Sequence, residues 1–244
     1  SSNQMNRETM KQVYDTLTKL GKDGQQPAPW LATDWDVSDD NQTITMNLVE
    51  GHTFHDGEPV TAEDVAFTYR YMGEHSPFLS GSVAPIEEVT AVDETTVEFT
   101  LEDPFAPIFT YTFNRVPILP KHIWENIPDE ADVDEAWRYS PADNDQLIGS
   151  GHLKFTQWQK DSEIRLDSFD DHFNPPEADQ VVLAVITDPQ AFNGGFQQGT
   201  LDLAFDVSRV DSANLLEMAE GNNSLSTETD RKSTRLNSSH VCSS

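Results

Sequence analysis

Phe54-His55-Asp56-Gly57-Glu58-Pro59-Val60-Thr61-Ala62-Glu63-Asp64-Val65 is the stretch whose reading decides the fold. His55-Asp56-Gly57 predicts a tight turn in which Gly57 accepts positive φ without a Cβ penalty. Thr61-Ala62-Glu63-Asp64 then predicts a helix start: Thr61 caps, Asp64 reaches back to it, and acid in the first turn suits the helix dipole. That helix should run through Tyr71. Immediately upstream, Thr43-Ile44-Thr45-Met46-Asn47-Leu48-Val49 alternates apolar and polar residues as a half-buried strand does, after a turn at Asp39-Asp40-Asn41.

Working outward, Met10, Val13, Leu17 and Leu20 carry helical spacing, and residues 21–27 read as a loop. Ile86–Val92 and Thr96–Leu101 predict a strand pair about Asp93-Glu94-Thr95. Pro104, Pro107, Pro117, Pro120 and Pro128 then break the chain into loops and stubs of helix. From Leu153 the pattern is β again, turning at Asp161-Ser162 and returning through Ile164, Leu166 and Ser168. Gln180–Ile186 holds a continuous apolar run, the signature of a strand covered on both faces. Asp188 should cap a helix over Pro189–Gln198 with Pro189 in the first position. Leu201–Phe205 reads as a short strand and Val210–Ala219 as a last helix. The class is α/β, mixed α+β, with a strand-helix-strand unit in the second half.

The 244 residues include 43 Asp and Glu against 15 Lys and Arg, a formal net charge of −28, with 36% hydrophobic residues. That apolar content is enough for a core, so the acid decorates a fold. The same charge repels phosphate backbones and anionic membrane surfaces, which excludes nucleic acid as a partner. Self-repulsion of this size is best tolerated where salt screens it, over roughly 3 Å at 1 M, and predicts salt adaptation. Cys242 is the single cysteine, which excludes an internal disulfide, a cysteine-based zinc site and a CxxC redox pair. The longest apolar run, Val181–Ile186, is far too short to span a bilayer, and no signal peptide opens the chain. Ser1 leads almost at once into the first helical pattern, as though an export signal were missing. Residues 231–244 turn abruptly basic and serine-rich and read as a non-native tail outside the fold.

Motifs that carry chemistry are absent or weak. His52-Thr53-Phe54-His55 has i, i+3 spacing, but flanking glycines set it in a turn and it lacks the Glu of HExxH, so no metal is expected. Gly149-Ser150-Gly151 lacks the spacing of a nucleophile elbow and precedes a strand. No phosphate-cradling glycine motif is present. Carboxylates are so abundant that any pair would arise by chance, so none serves as glycosidase evidence. No catalytic residue is assigned and no cofactor is expected. Trp30, Trp35, Trp124, Trp137 and Trp158 suit either a stacking surface or the core.

Val13-Tyr14-Asp15-Thr16-Leu17, Pro29-Trp30-Leu31-Ala32-Thr33-Asp34-Trp35 and the Phe54–Val65 block resemble, in order, the extracellular solute-binding proteins of family 5 that serve peptide and nickel ABC importers. Pro117-Ile118-Leu119-Pro120-Lys121-His122-Ile123-Trp124 and Gly199-Thr200-Leu201-Asp202 agree with the same family, and the acidity is haloarchaeal-like. Two places depart from it. Gly149-Ser150-Gly151-His152-Leu153-Lys154 stands where the family has GTGPYK, and Asp170-Asp171-His172-Phe173-Asn174 stands where it has an asparagine-rich turn ending in Tyr-Trp.

The resemblance implies a periplasmic-binding-protein-like fold of class II type, incomplete here. Residues 1–24 and 147–230 would form the first lobe and 25–146 a small subdomain, with the second lobe missing. It implies a monomeric, non-enzymatic receptor, extracellular or periplasmic and tethered to the outer face of the membrane. The receptor would capture a peptide or other small solute and pass it to ABC permease subunits. Tyr14, Asp15 and Thr16 are the expected ligand-binding residues on the cleft floor, with Phe78 on the subdomain side. The rivals are a secreted carboxylate-dependent hydrolase and a non-binding surface fragment.

Salt adaptation makes a direct prediction. Far-ultraviolet circular dichroism of the chain should gain folded signal between dilute buffer and molar KCl. Full folding in dilute buffer with no gain from salt would refute it.

Overall fold

The computed structural model describes residues 9–21, 24, 26–76, 78–126, 147–204, 225–229 and 239–243. The chain divides into two compact units, one of Met5–Gln159 with Ile164–Leu183, the other of Ser1–Gln4, Lys160–Glu163 and Ala184–Ser244.

In the larger unit, helix α1 is described over 9–13 and ends sooner than the helical spacing predicts. Thr18–Leu20 leaves it as strand β1 and pairs antiparallel with β2, Pro27–Pro29. The reason is tertiary: the Thr18 amide donates to Phe113 O at 3.1 Å and the Ala32 amide to Leu17 O at 2.9 Å, bonds a continued helix would forbid. Strands β3 (Ala32–Val37) and β4 (Thr43–Leu48) lead into helix α2 (Ala62–His75). Helix α3 (Ser80–Val83), then strands β5 (Ile86–Ala91) and β6 (Thr96–Leu101), follow. The four strands form one antiparallel sheet in the order β3-β4-β6-β5, with Ile44 opposite Phe99 and Met46 opposite Val97. Period two is realised in side-chain burial. Ile44, Met46 and Leu48 on β4 and Val97, Phe99 and Leu101 on β6 all turn into the core. Helix α2 covers that face with Val65, Ala66, Tyr69 and Met72.

The Phe54–Val65 block behaves as its chemistry requires. Gly57 has φ +92°, and the Thr61 amide donates to Asp64 Oδ2 at 2.9 Å, with the Thr61 hydroxyl donating to the same oxygen at 2.7 Å. Two proline-led stubs follow, α4 (Ile108–Tyr111) and α5 (Lys121–Trp124). The structure stitches α5 to the block. The Lys121 amide donates to Asp64 Oδ1 at 2.9 Å, the Leu119 amide to Thr68 Oγ1 at 2.9 Å, and His122 Nε2 pairs with Asp56 Oδ2 at 2.9 Å. Two sequence strings that looked like separate family marks are thus one hydrogen-bonded unit.

Strands β7 (Leu153–Gln159), β8 (Glu163–Ser168) and β9 (Gln180–Ala184) make a second sheet in that order. The expectation that Gln180–Ile186 is covered on both faces fails here. Val182, Val185 and Ile186 are 44%, 40% and 37% exposed, and the strand alternates between exposed and half-buried residues. In the smaller unit, α6 spans Pro189–Gln198, with Asp188 Oδ1 accepting from the Gln190 and Ala191 amides. Strands β10 (Leu203–Ala204), β11 (Leu225–Thr229) and β12 (Ser239–Ser243) pair antiparallel with β12 in the middle. The helix expected over Val210–Ala219, and Trp137, lie outside the described residues.

Asp64 is 5% exposed and accepts bonds from two separate elements. Asp64→Ala should therefore lower stability by about 2 kcal/mol in urea melts. Glu63→Ala, at a largely exposed neighbour, should stay within about 0.5 kcal/mol.

Candidate functional site

Four of the seven histidines, His52, His55, His152 and His172, collect about Asp15 and the Gly149–Gly151 segment. Asp15 follows the last turn of α1, where the Tyr14 amide closes onto Met10 O at 3.0 Å, and its own carbonyl accepts from the Ile118 amide. Its carboxylate therefore points inward, 2% exposed. Trp30 Nε1 donates to Oδ1 at 2.6 Å, His52 Nε2 lies 3.2 Å from Oδ2, and His172 Nε2 lies 3.3 Å from Oδ2. Burial by itself would raise this carboxyl, but bonds from His172, His52 and Trp30 together hold it well below the usual carboxylate range.

A rim of larger groups surrounds the anion. Lys19 Nζ stands 3.0 Å from the centre of the Trp30 ring, so one indole gives its N–H to an anion and its face to a cation. Burial pushes the Lys19 ammonium down to about 8, against the opposing pull of Asp15. Phe173 stacks on His172 at 4.1 Å and meets Trp30 edge-on at 5.1 Å. His152 donates through Nε2 to Gln12 Oε1 at 2.8 Å, and burial, with Lys19 and His172 nearby, pulls its ring down to about 4.

Backbone packs directly on backbone beneath this rim. A Cβ on Gly149 would sit 2.0 Å from Val13 O, and one on Gly151 would sit 2.3 Å from Gln12 O. Only glycine permits the approach, and the Gly151 amide uses it to donate to Val13 O at 2.8 Å. Ser150 between them is fully buried, its carbonyl 3.0 Å from His52 Nε2, which leaves its hydroxyl no path to a substrate.

Asp15, His52 and His172 are the described residues that bring metal-ligand atoms together, all within 4.8 Å of one another. Their partners oppose such use. The Asn174 amide donates to His172 Nδ1 at 2.9 Å, so the ring proton belongs on Nε2, which faces Asp15. His52 Nε2 likewise faces the Ser150 carbonyl and needs its proton there. Histidines that ligate metals offer a bare nitrogen to the ion and an N–H to the second shell, the reverse of what His172 does. What the arrangement does chemically is solvate one buried anion with N–H donors.

The residues singled out from sequence fall in different settings. Tyr14 is core, 2% exposed; Asp15 is the hub; Thr16 is half-buried and donates to Thr18 O at 2.9 Å. Phe78 lies in the turn before α3, 74% exposed. His52 and His55, read as a pair by spacing, face different partners. His152 and His172, unassigned from sequence, sit at the two places where the chain departs from the family pattern. Their ring centres are 5.8 Å apart, so the two departures are one local change.

Asp15→Asn would turn an amide N–H toward either the Trp30 side or the His52 side, and should cost about 3 kcal/mol in urea melts at molar salt. Trp30→Phe should cost about 2 kcal/mol, and the double variant should fall short of the sum by more than about 1 kcal/mol. Additive losses would show that the contact is not coupled.

Residues 26–240 match the model described as "Bacterial extracellular solute-binding proteins, family 5 Middle". Dipeptide-binding protein DppE of Bacillus subtilis is 28% identical over 243 residues, covering 89% of this chain and 43% of its own length. Oligopeptide-binding protein AppA of B. subtilis, solved in complex with a nonapeptide, superposes with a TM-score of 0.75 at 27% identity, covering 90% of this chain and 42% of AppA. CtaP of Listeria monocytogenes, an ABC transporter substrate-binding protein, gives 0.74 at 31% identity, covering 92% of this chain and 43% of CtaP. The chain thus spans less than half the length of these relatives, and its mixed α/β architecture is part of the periplasmic-binding-protein fold. It belongs to the bacterial extracellular solute-binding proteins of family 5.

Proposed function

We propose that this chain is part of the substrate-binding component of an ABC importer, which captures a di- or oligopeptide or a similar small solute and delivers it to a membrane permease. The observation that carries the reading is the match to AppA, a protein solved with a nonapeptide, along 90% of this chain. DppE, named for dipeptide binding, supports the same solute class. The role requires no bond making.

Residues 1–24 and 147–230 are assigned to the first lobe and 25–146 to the small subdomain. The bond from the Gly151 amide to Val13 O supports the first assignment, and a four-stranded sheet drawn wholly from residues 32–101 supports the second. Setting residues 231–244 outside the lobes rests on composition, while the structure pairs Ser239–Ser243 with β10 and β11. Tyr14, Asp15 and Thr16 are read as the cleft floor, with Thr16 its half-buried member and Tyr14 and Asp15 buried beneath, and Phe78 as a contact from the subdomain side, the latter supported by its exposure. Closure on solute would shift an open–closed equilibrium by the difference in affinity between the two states. The receptor works outside the cytoplasmic membrane, as a monomer tethered to its outer face. Among the described residues no helix is long and apolar enough to cross a membrane.

Titration with di-, tri- and nonapeptides, followed by melting temperature and by chromatography of the peptide, tests the reading. A saturable rise in Tm with the peptide recovered intact is expected. Steady product formation that stops on mutating one carboxylate would replace the receptor with a hydrolase.

A further inference from the structure

His55 lies outside the Asp15 contacts, yet it makes both of its ring nitrogens indispensable. Nε2 donates to Gly151 O at 2.8 Å, while Nδ1 accepts from the Gly149 amide at 3.3 Å. The His55 amide adds a bond to Gly149 O at 2.9 Å. A ring that donates through one nitrogen and accepts through the other is necessarily neutral. Gly149–Gly151 has no side chain at either end with which to anchor itself, so these three bonds, the Gly151 amide to Val13 O and the Ser150 carbonyl to His52 Nε2 carry the segment.

We propose that His55 is an acid-operated clip: protonation of its ring releases the Gly149–Gly151 segment from the His55–Gly57 turn while the rest of the unit remains folded. The added proton would sit on Nδ1 and point at the Gly149 N–H, replacing an acceptor by a second donor. The surrounding charges do not rescue the cation. Lys154, on β7, opposes it. Asp15 favours it but is already occupied by Trp30, His52 and His172, and Asp56 favours it but is engaged by His122. The edge of Phe169, 5.1 Å from the ring, closes another side, with His52 and His172 beyond it. Burial accordingly pushes the His55 ring down to about 4, the Gly151 carbonyl only partly offsetting it.

The direction follows. An unfolded histidine takes its proton near 6.5 and this one near 4, so the clip is complete above about 6.5 and is lost progressively as pH falls toward 4. Its opening has a consequence at the candidate site. Ser150, between the two glycines, gives its carbonyl to His52, so releasing the segment loosens the cover over Asp15. The device is independent of which solute the protein takes.

Hydrogen exchange of the whole chain at molar KCl, corrected for the intrinsic pH dependence, tests it. Between pH 7 and 4 the Gly149 and His55 amides should lose protection at least tenfold, while amides of β4 and β6 keep theirs. His55→Gln, which keeps a donor and an acceptor but does not titrate, should abolish that local loss. Carboxylates titrating near 4 would act equally on both proteins. Should the glutamine variant not fold, the Cε1 proton shift of His55 in the unaltered chain supplies the readout. Its midpoint should lie at pH 4–5 and coincide with loss of Gly149 protection. Constant protection down to pH 4, the same loss in His55→Gln, simultaneous loss throughout the unit, or a His55 midpoint near 6.5 would each overturn the proposal.

Discussion

A carboxylate withdrawn from water must be given back its hydrogen bonds, and in this protein that requirement organises the larger unit. Asp15 lies behind α1, and the groups that resolvate it come from Trp30 ahead of β3, His52 behind β4 and His172 behind β8. None is near another in sequence, so the anion can be satisfied only when those segments have converged. Removing any donor leaves part of a buried charge exposed to an apolar surrounding, which costs far more than the net worth of the bond. That asymmetry is what makes a single residue able to tie distant parts of the chain together.

Asp64 applies the same principle to the sheet-and-helix part. It holds the start of α2 through Thr61 and the start of α5 through the Lys121 amide. Among the described residues, Asp15 and Asp64 are the only acidic residues that are buried. In a chain with 43 acidic residues the contrast is informative: most of the acid faces solvent, whereas these two serve as multiple acceptors inside. Net charge therefore speaks about the medium the surface suits and says little about what joins the elements.

The histidines add a polarity that simple proximity conceals. Three ligand-type side chains within coordination reach would suggest a metal, but the amide facing His172 Nδ1 and the carbonyl facing His52 Nε2 require protons on the nitrogens nearest Asp15. Donor and acceptor direction decides the matter where distance alone does not. Trp30 completes the arrangement, since its N–H and its face serve opposite charges at once and so link Lys19 to Asp15 through one rigid ring.

Local chemistry was legible wherever a few neighbouring residues set the outcome. The Gly57 turn, the Thr61–Asp64 start, the β5–β6 pair about Asp93 and the Asp188 cap before Pro189 follow from steric freedom, side-chain acceptors and period, all contained within several residues. Even the ordered family marks could be read, because they are strings. Those rules failed in two places: distant partners, Phe113 and Ala32, turn the Leu17–Leu20 stretch into strand, and the apolar run at Val181–Ile186 keeps an exposed side. The site was the least legible part. Asp15 was singled out, but Trp30, His52, His152 and His172 are 15, 37, 137 and 157 positions from it, and no spacing rule spans such intervals. Sequence alone determined the elements, the acidity and the family pattern, because each is local or additive. Only the tertiary structure decided which histidines meet one carboxylate and which protons they must carry, because buried polar groups are satisfied by whatever the fold brings beside them.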